Sequence, residues 1–168
     1  MEEVWQSIIN YPLYEVSNHG EIRNKNSGRP VRLSTTRQGG VKVSLICGTT
    51  RHTRSVKVLV ADAFVDGQTD VYDTPIQLDG DQSNVDASNL MWRPRWFAWR
   101  YARQFHKADT YIGLGPLCDQ KTGLMYKDIY EAATKNGLLF LEIQMSLVNR
   151  VPVFPTFHLF DWIGDNSV

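Results

Sequence analysis

The sequence predicts an α+β protein with a small β-rich N-terminal unit, a helical linker and a small C-terminal module of two helices. The first observation is a period of about two between apolar side chains in short stretches before residue 57, separated by Asn and Gly, which is typical of strands and hairpins. The second is a helix start signal at Asp128 with a stop at Gly137. The predicted segments are residues 1–92, 93–117 and 118–168.

Length and composition indicate a cytoplasmic globular protein. The 168 residues, 42% of them hydrophobic, suffice for one ordinary core or two small ones. The chain has no apolar run of about 18 residues, and its first residues are acidic where a signal peptide would be basic, so we expect neither membrane insertion nor secretion. Cys47 and Cys118 are far apart with no paired Cys or His near either, which predicts idle thiols and no zinc site.

The N-terminal unit is predicted to begin with a hairpin and to end with a helix. Apolar and polar residues alternate on both sides of Ser17–Gly20, where Asn and Gly can adopt the left-handed backbone of a tight turn. A further strand and its return follow, and apolar residues then recur at helical spacing. The predicted elements are strands at 14–16, 21–23, 41–45 and 53–56 and a helix at 59–64.

Residues 75–92 predict a strand, a turn, a loop and the start of a helix. Ile76 and Leu78 alternate with polar neighbours as in a short strand. The dipeptide Asp79–Gly80 supplies the positive φ angles of a tight turn. A helix is predicted to open at 87–91. The candidate site residues lie on this segment.

The segment that follows combines cations with aromatic rings. Residues 91–107 hold five cations and six rings. A helix is predicted from Arg95, because a proline stands near its first turn, and Arg100, Arg103 and Lys107 then share one face. Either this face follows DNA phosphates, or the cations stay in water while the rings pack on the core. The sequence leaves both alternatives open.

The C-terminal module has two predicted helices. Residues 128–131 form a capping box, and the helix that starts there ends at Gly137. A second helix is predicted at 141–149, with apolar residues before it where a polar cap is expected. In a helix-turn-helix module the second helix reads DNA. Here that helix carries few cations and suits a protein surface better than a groove lined by phosphates.

The net charge of zero hides alternating blocks of charge. Residues 18–57 carry nine Lys or Arg against one Glu, and residues 93–107 carry five bases and no acid. Between them, residues 58–92 hold seven aspartates and no base. The basic blocks favour a DNA partner, because neutralised phosphates supply most non-specific affinity. The neutral total and the aspartate block favour a protein partner.

Two stretches of the chain resemble phage-intron HNH homing endonucleases. Trp5, residues 14–24 and residues 59–64 are similar to the nuclease-associated module that precedes the HNH motif in that family. In the second stretch, 75–92, the positions that match the HNH motif are Asp79, Gly80, Asn84, Asn89, Leu90 and Trp92. The resemblance implies a ββα-metal (HNH) motif after the β-rich unit and a helix-turn-helix-like module at the C-terminal end.

The same resemblance implies that the catalytic centre is degenerate. In the family a His is the general base, while an Asp and an Asn hold the divalent cation. Gln77 stands at the position of that His, Ile76 at that of the Asp, and Lys57 at that of a further His. A glutamine amide cannot accept a proton near neutral pH, and isoleucine offers no oxygen. Asn89 and Asp79 remain as candidate metal ligands.

The resulting hypothesis is a catalytically degenerate HNH homing-endonuclease-like pseudoenzyme of phage type. It is expected to bind duplex DNA or a host or phage protein without cutting DNA, with no membrane or small molecule as partner. No cofactor is required, and Mg²⁺ is expected only with residual nuclease activity. The alternative is an active metal-dependent endonuclease, of nicking or homing type, with a rebuilt active site.

The candidate binding residues fall into two sets. The predicted nucleic-acid-binding residues are Arg23, Arg29, Arg32, Arg37, Lys42, Arg93, Arg95, Arg100, Arg103 and Lys107. The predicted protein-binding residues are Asp79, Asp81, Asp86, Leu141, Gln144 and Arg150.

Overall fold

The computed structural model describes residues 2–164. The chain forms two compact units, Met1–Ala98 and Trp99–Val168, each with its own hydrophobic cluster. The finer division into three segments stays a prediction. Within residues 2–164, no helix is both long enough and apolar enough to cross a membrane.

The first unit consists of three small antiparallel sheets and one helix. Their strand orders are β1-β2-β3, β4-β5-β6 and β7-β8. The elements are β1 Trp5–Ile8, β2 Tyr11–Ser17, β3 Ile22–Asn24, β4 Leu33–Thr35, β5 Val41–Cys47, β6 Thr50–Ser55, α1 Val56–Phe64, β7 Thr74–Gln77 and β8 Leu90–Arg93. The predicted hairpin, the predicted strands and the helix predicted at 59–64 are therefore present, while β1, β4 and β8 were not predicted as strands.

The helix predicted at 87–91 is wrong. Ala87–Asn89 form a single 3-10 turn, which Asp86 caps by accepting a hydrogen bond from the Ser88 N–H. The chain then enters β8, in which Leu90 pairs with Gln77 of β7. Strand pairing with β7 is favoured over a helix here because it satisfies the backbone hydrogen-bonding groups and buries Leu90. The next helix starts only at Arg95.

The hairpin β2–β3 packs against the loop between β7 and β8. Gly20, in the hairpin turn, has φ of 88°, and a Cβ there would lie 2.3 Å from Cγ2 of Val85. The position therefore needs glycine for its backbone conformation and also for the close approach. The Ala87 N–H donates to the Asn18 carbonyl at 2.8 Å, so the turn and the loop are also joined through the backbone.

The second unit packs two helices on a small sheet of order β10-β9-β11. Its elements are the C-terminal part of α2 Arg95–Gln104, a 3-10 segment Phe105–Tyr111, β9 Leu117–Asp119, β10 Met125–Tyr126, α3 Ile129–Asn136, α4 Phe140–Asn149 and β11 Phe160–Trp162. The predicted capping box is present in a shifted form: Asp128 accepts from the Glu131 N–H at 2.8 Å, while the Glu131 carboxylate accepts from the Lys127 N–H at 2.7 Å. Gly137 ends α3 in the left-handed conformation, with φ of 60°.

The N-terminus of α4 is capped by a side chain from another helix. Leu139 stands at the cap position and provides no side-chain hydrogen bond. The Phe140 N–H instead donates to Oε1 of Gln104 at 2.8 Å, and Nε2 of Gln104 donates to the Leu138 carbonyl at 3.2 Å. The apolar residues before α4 are thus free to enter the core, where Leu138 is fully buried.

We predict that Gln104→Leu lowers the free energy of unfolding by about 1–2 kcal/mol, because the Phe140 N–H and the Leu138 carbonyl would lose their partner. Urea titration followed by circular dichroism measures the effect. Gln144→Leu, on an exposed position of α4, is the control and should change stability by less than about 0.5 kcal/mol. Equal effects of the two changes would contradict the capping role.

Candidate functional site

The loop between β7 and β8 is closed around the carboxylate of Asp79. Its Oδ2 accepts from Nδ2 of Asn84 at 2.6 Å, and its Oδ1 accepts from Nδ2 of Asn89 at 2.9 Å and from the Asp81 N–H at 2.9 Å. Gly80 follows with φ of 79°, as the predicted tight turn requires. Both carboxylate oxygens therefore have donors from the loop itself.

Asn89 completes this ring of hydrogen bonds. Its Oδ1 accepts from the Asp79 N–H at 3.1 Å, and its Nδ2 also donates to the Asn84 carbonyl at 3.1 Å. The two predicted metal ligands thus bind each other, and a cation would have to compete for the same oxygens. Within residues 2–164, no group of three or more His, Cys, Asp or Glu is placed to share a metal ion. The metal site stays a prediction.

The other two aspartates of the loop are also held by local donors. Asp81 accepts from the N–H and the hydroxyl of Ser83, and these bonds lower the pKa of its carboxyl. Asp86 is bonded to Ser88 and lies 2.5 Å from Nδ1 of His19 in the hairpin turn. Partial burial alone would raise the pKa of Asp86, but these partners outweigh it and leave the pKa lowered.

Two of the three positions at which the sequence predicts a lost catalytic group, Lys57 and Gln77, contact each other. Nζ of Lys57, on the first turn of α1, donates to Oε1 of Gln77 on β7 at 3.2 Å. Nε2 of Gln77 donates to the Gln82 carbonyl at 3.0 Å, and only 3% of Gln77 is exposed. Burial lowers the pKa of the Lys57 ammonium. This pair can carry a positive charge, but the amide has no proton-accepting group near neutral pH.

Ile76, the third position at which the sequence predicts a lost catalytic group, is buried. Ile76 is 3% exposed, so an acid at this position would need desolvation as well as a cation.

The predicted cations of the first unit differ in how they are engaged. Arg29, Arg32, Arg37 and Lys42 are exposed, and the last two line one open cavity of about 370 Å³. Arg23 instead pairs with Glu15 at 2.9 Å and lies 3.9 Å above the ring of Trp5. Arg93 is 7% exposed and donates to the Trp92 carbonyl, while exposed Arg95 lies 3.3 Å from Asp73.

The predicted cations of the second unit lie on α2 and the 3-10 segment after it. Arg100, Arg103 and Lys107 are all exposed. Arg100 and Lys107 also line a cavity of about 270 Å³, together with Glu142 at the start of α4. Oε2 of Glu142 is buried without a hydrogen-bond partner in the part of the chain that the structure describes. Burial raises the pKa of this carboxyl, which the charge of Arg100 partly offsets.

Helix α4 presents an apolar stripe that was only partly predicted. Leu141 is 60% exposed, and Met145 and Val148, which were not predicted, are 46% and 71% exposed. Their spacing of four and three residues is a sequence signal for one helix face. Gln144 is exposed nearby on the same helix, whereas Arg150 is paired with Asp161 of β11.

Comparison with known proteins supports the predicted resemblance. A model described as the NUMOD4 motif matches residues 3–45. The "Uncharacterized HNH endonuclease L245" of Acanthamoeba polyphaga mimivirus is 35% identical over 88 residues, which are 52% of this chain and 26% of that protein. The chain therefore spans about a quarter of the length of the relative it matches.

A solved structure shows the same fold. It is described as "DNA binding and cleavage by the HNH homing endonuclease I-HmuI" and matches with a TM-score of 0.53 and 22% identity, covering 98% of this chain and 99% of that one. The predicted α+β architecture is confirmed. The protein is HNH endonuclease-like in both sequence and fold.

Because burial lowers the pKa of the partly buried Lys57, we expect the stability of the protein to depend on pH. The pKa of Lys57 is lower in the folded protein than the ordinary 10.5, so between these values the unfolded chain binds more protons and stability rises with pH. We expect the free energy of unfolding of the wild type to rise relative to that of Lys57→Met as the pH increases toward 10.5, the ordinary pKa of a lysine. Urea titrations measure it, with Lys42→Met as the exposed control. A constant difference between wild type and Lys57→Met would contradict the buried ammonium.

Proposed function

We propose that this protein binds duplex DNA through its exposed cations and does not cleave it. The observation that carries the proposal is the Lys57–Gln77 hydrogen bond, at two positions where the resemblance to HNH endonucleases implies histidines. The frame of the motif is retained while its proton-accepting group is replaced by an amide. We place this binding in the cytoplasm of the cell that makes the protein.

The absence of cleavage follows from what the centre can do chemically. Hydrolysis of a phosphodiester needs a base for the attacking water and a charge that stabilises the leaving oxygen. Lys57 could supply charge, but Gln77 uses its amide oxygen and nitrogen in hydrogen bonds and takes no proton. Asp79 and Asn89 are bonded to each other, so the remaining oxygen ligands are satisfied without a cation.

The binding of DNA is supported by the cations that stay exposed. Eight of the predicted nucleic-acid-binding residues qualify, because the guanidinium of Arg23 is paired with Glu15 and Arg93 is buried. The structural neighbour is described as binding DNA, which is consistent with this use of the shared fold. The proposed phosphate contacts are Arg29, Arg32, Arg37, Lys42 and Arg95 in the first unit and, separately, Arg100, Arg103 and Lys107 in the second unit.

A protein partner is the second candidate function. The observation that favours it is the exposed stripe Leu141, Met145 and Val148, since water-exposed apolar faces of this kind often mark protein contacts. The loop aspartates Asp79 and Asp81, both exposed, offer a separate acidic surface for a protein in the first unit. Pull-down from a host lysate, with half the sample treated with nuclease, separates the two candidates, because a partner held through DNA is lost on treatment.

We predict that the purified protein leaves supercoiled plasmid intact with either Mg²⁺ or Mn²⁺, because the amide of Gln77 stands where the resemblance implies the general base and takes no proton. The assay uses a large molar excess of protein and scores nicked circles on agarose gels. Nicking that is abolished by Asn89→Ala would establish the alternative, an active endonuclease with a rebuilt site. Nicking that survives Asn89→Ala would indicate a contaminating nuclease.

We predict that Arg37→Gln with Lys42→Gln weakens binding to all duplex sequences alike and lowers the slope of log K against log salt by about 0.9 for each lost phosphate contact. Fluorescence anisotropy at several salt concentrations measures the slope. Lys135→Gln is the control, since Lys135 is exposed on α3 and pairs with Glu131. An unchanged slope in the double variant would remove these two residues from the interface.

A further inference from the structure

Trp99 has a larger exposed fraction than Trp96, the other tryptophan of α2. It is 62% exposed, whereas Tyr101 on another face of the same helix is 1% exposed and packs edge-to-face on Phe105. An indole carries a large apolar area and usually contributes to a core or an interface. Trp99 is not part of a core, so its exposure is the feature that needs an explanation.

Arg103 lies over the ring of Trp99 and forms no ion pair among the described residues. The guanidinium of Arg103 lies 4.4 Å from the ring centre, one helical turn further along α2. Within residues 2–164, no carboxylate lies within ion-pair distance of Arg103, and its side chain is exposed. The pair therefore presents a flat aromatic face and an uncompensated positive charge at the same place.

A second arginine–tryptophan pair, Arg23 with Trp5, also includes an acid that neutralises the arginine; we call such a pair closed. Arg23 lies 3.9 Å above Trp5, but two of its nitrogens also donate to Oε2 of Glu15. That pair joins neighbouring strands and has its charge neutralised in place. Trp99 with Arg103 lacks the acid, so its charge remains available to a ligand.

The charges around Trp99 select an anionic ligand that also has flat faces. Of the five bases in residues 93–107, Arg100, Arg103 and Lys107 are exposed and follow Trp99 closely in the sequence. Arg93 is buried and Arg95 pairs with Asp73. Duplex DNA combines phosphates with stacked aromatic bases, and apolar side chains inserted between base steps are a known mode of groove binding. Arg guanidinium groups supply the phosphate contacts beside such an insertion.

We propose that Trp99 stacks on the bases of duplex DNA, while Arg103 and Arg100 bind the phosphates that flank the stacked step. This rests on the proposed DNA binding and adds a base contact to it. Arg103 moves from the indole face to a phosphate as the base covers the ring. An acidic protein surface could form ion pairs with Arg100 and Arg103, but it has no stacked bases to cover the ring of Trp99.

The test compares full-length variants on a fluorescein-labelled duplex of about 20 base pairs and on heparin, which carries anionic charge without bases. We expect Trp99→Leu to weaken duplex binding by roughly 5- to 100-fold and Trp99→Phe to weaken it much less, because phenylalanine still stacks. Both variants should bind heparin like the wild type. Arg103→Gln should lower the salt slope for the duplex by about 0.9.

Trp5→Leu is the matched control, because it removes a tryptophan from the closed pair with Arg23. Its duplex affinity should equal that of the wild type when circular dichroism shows an intact fold. Intrinsic tryptophan fluorescence gives an independent readout. Quenching on addition of the duplex should be present in the wild type and in Trp5→Leu, and largely absent in Trp99→Phe.

Equal duplex affinity of folded Trp99→Leu and the wild type, with quenching retained in Trp99→Phe, would overturn the inference and leave the proposed DNA binding intact. A loss of heparin binding as large as the loss of duplex binding would also overturn it, because the effect would then be one of charge. A wild type that binds heparin but no duplex would overturn both proposals.

Discussion

The ring of hydrogen bonds between Asp79 and Asn89 is the interaction on which the shape of the first unit's site depends. It joins the turn after β7 to the residue just before β8, so the two strands leave the loop in register. That register places Gln77 opposite Leu90 and positions its amide toward Lys57. The amides of Asn84 and Asn89 donate to the carboxylate of Asp79 and thereby fix the conformation of the loop.

The fold of the motif and its chemistry are carried by different residues. Shape comes from Gly80, which supplies the turn, and from Trp92, whose Nε1 donates to the Val65 carbonyl at 2.9 Å. Chemistry would come from the positions that Lys57 and Gln77 occupy. An ammonium and an amide are compatible there, because the ammonium donates to the amide oxygen, and burial lowers the pKa of the ammonium. The motif can therefore lose its proton acceptor without losing its structure.

Charge in this protein divides into groups used within the fold and groups left for a ligand. Arg23 donates to Glu15 on the neighbouring strand, and the buried Arg93 donates to the carbonyl of Trp92. Arg103 and Lys42 remain exposed. The zero net charge of the chain hides this division, because a residue count treats a buried arginine and an exposed one alike.

The sequence by itself determined the elements whose signals are local. The turn at Ser17–Gly20, the capping box at Asp128 and the stop at Gly137 each need only the few residues around them, and the structure has all three. The loop of the motif was also predictable, since Asp79–Gly80 sets its own backbone angles. The resemblance to HNH endonucleases added the positions of the catalytic centre.

Tertiary structure decided whatever depends on partners distant in the chain. The cap of α4 comes from Gln104, which lies 36 residues before the N–H that it binds. The stretch 87–91 became a turn and a strand because β7 offered a ladder, and Arg93 became buried because its strand lies inside the fold. Local periodicity contains no information about such partners, since each is brought near only when the chain has folded.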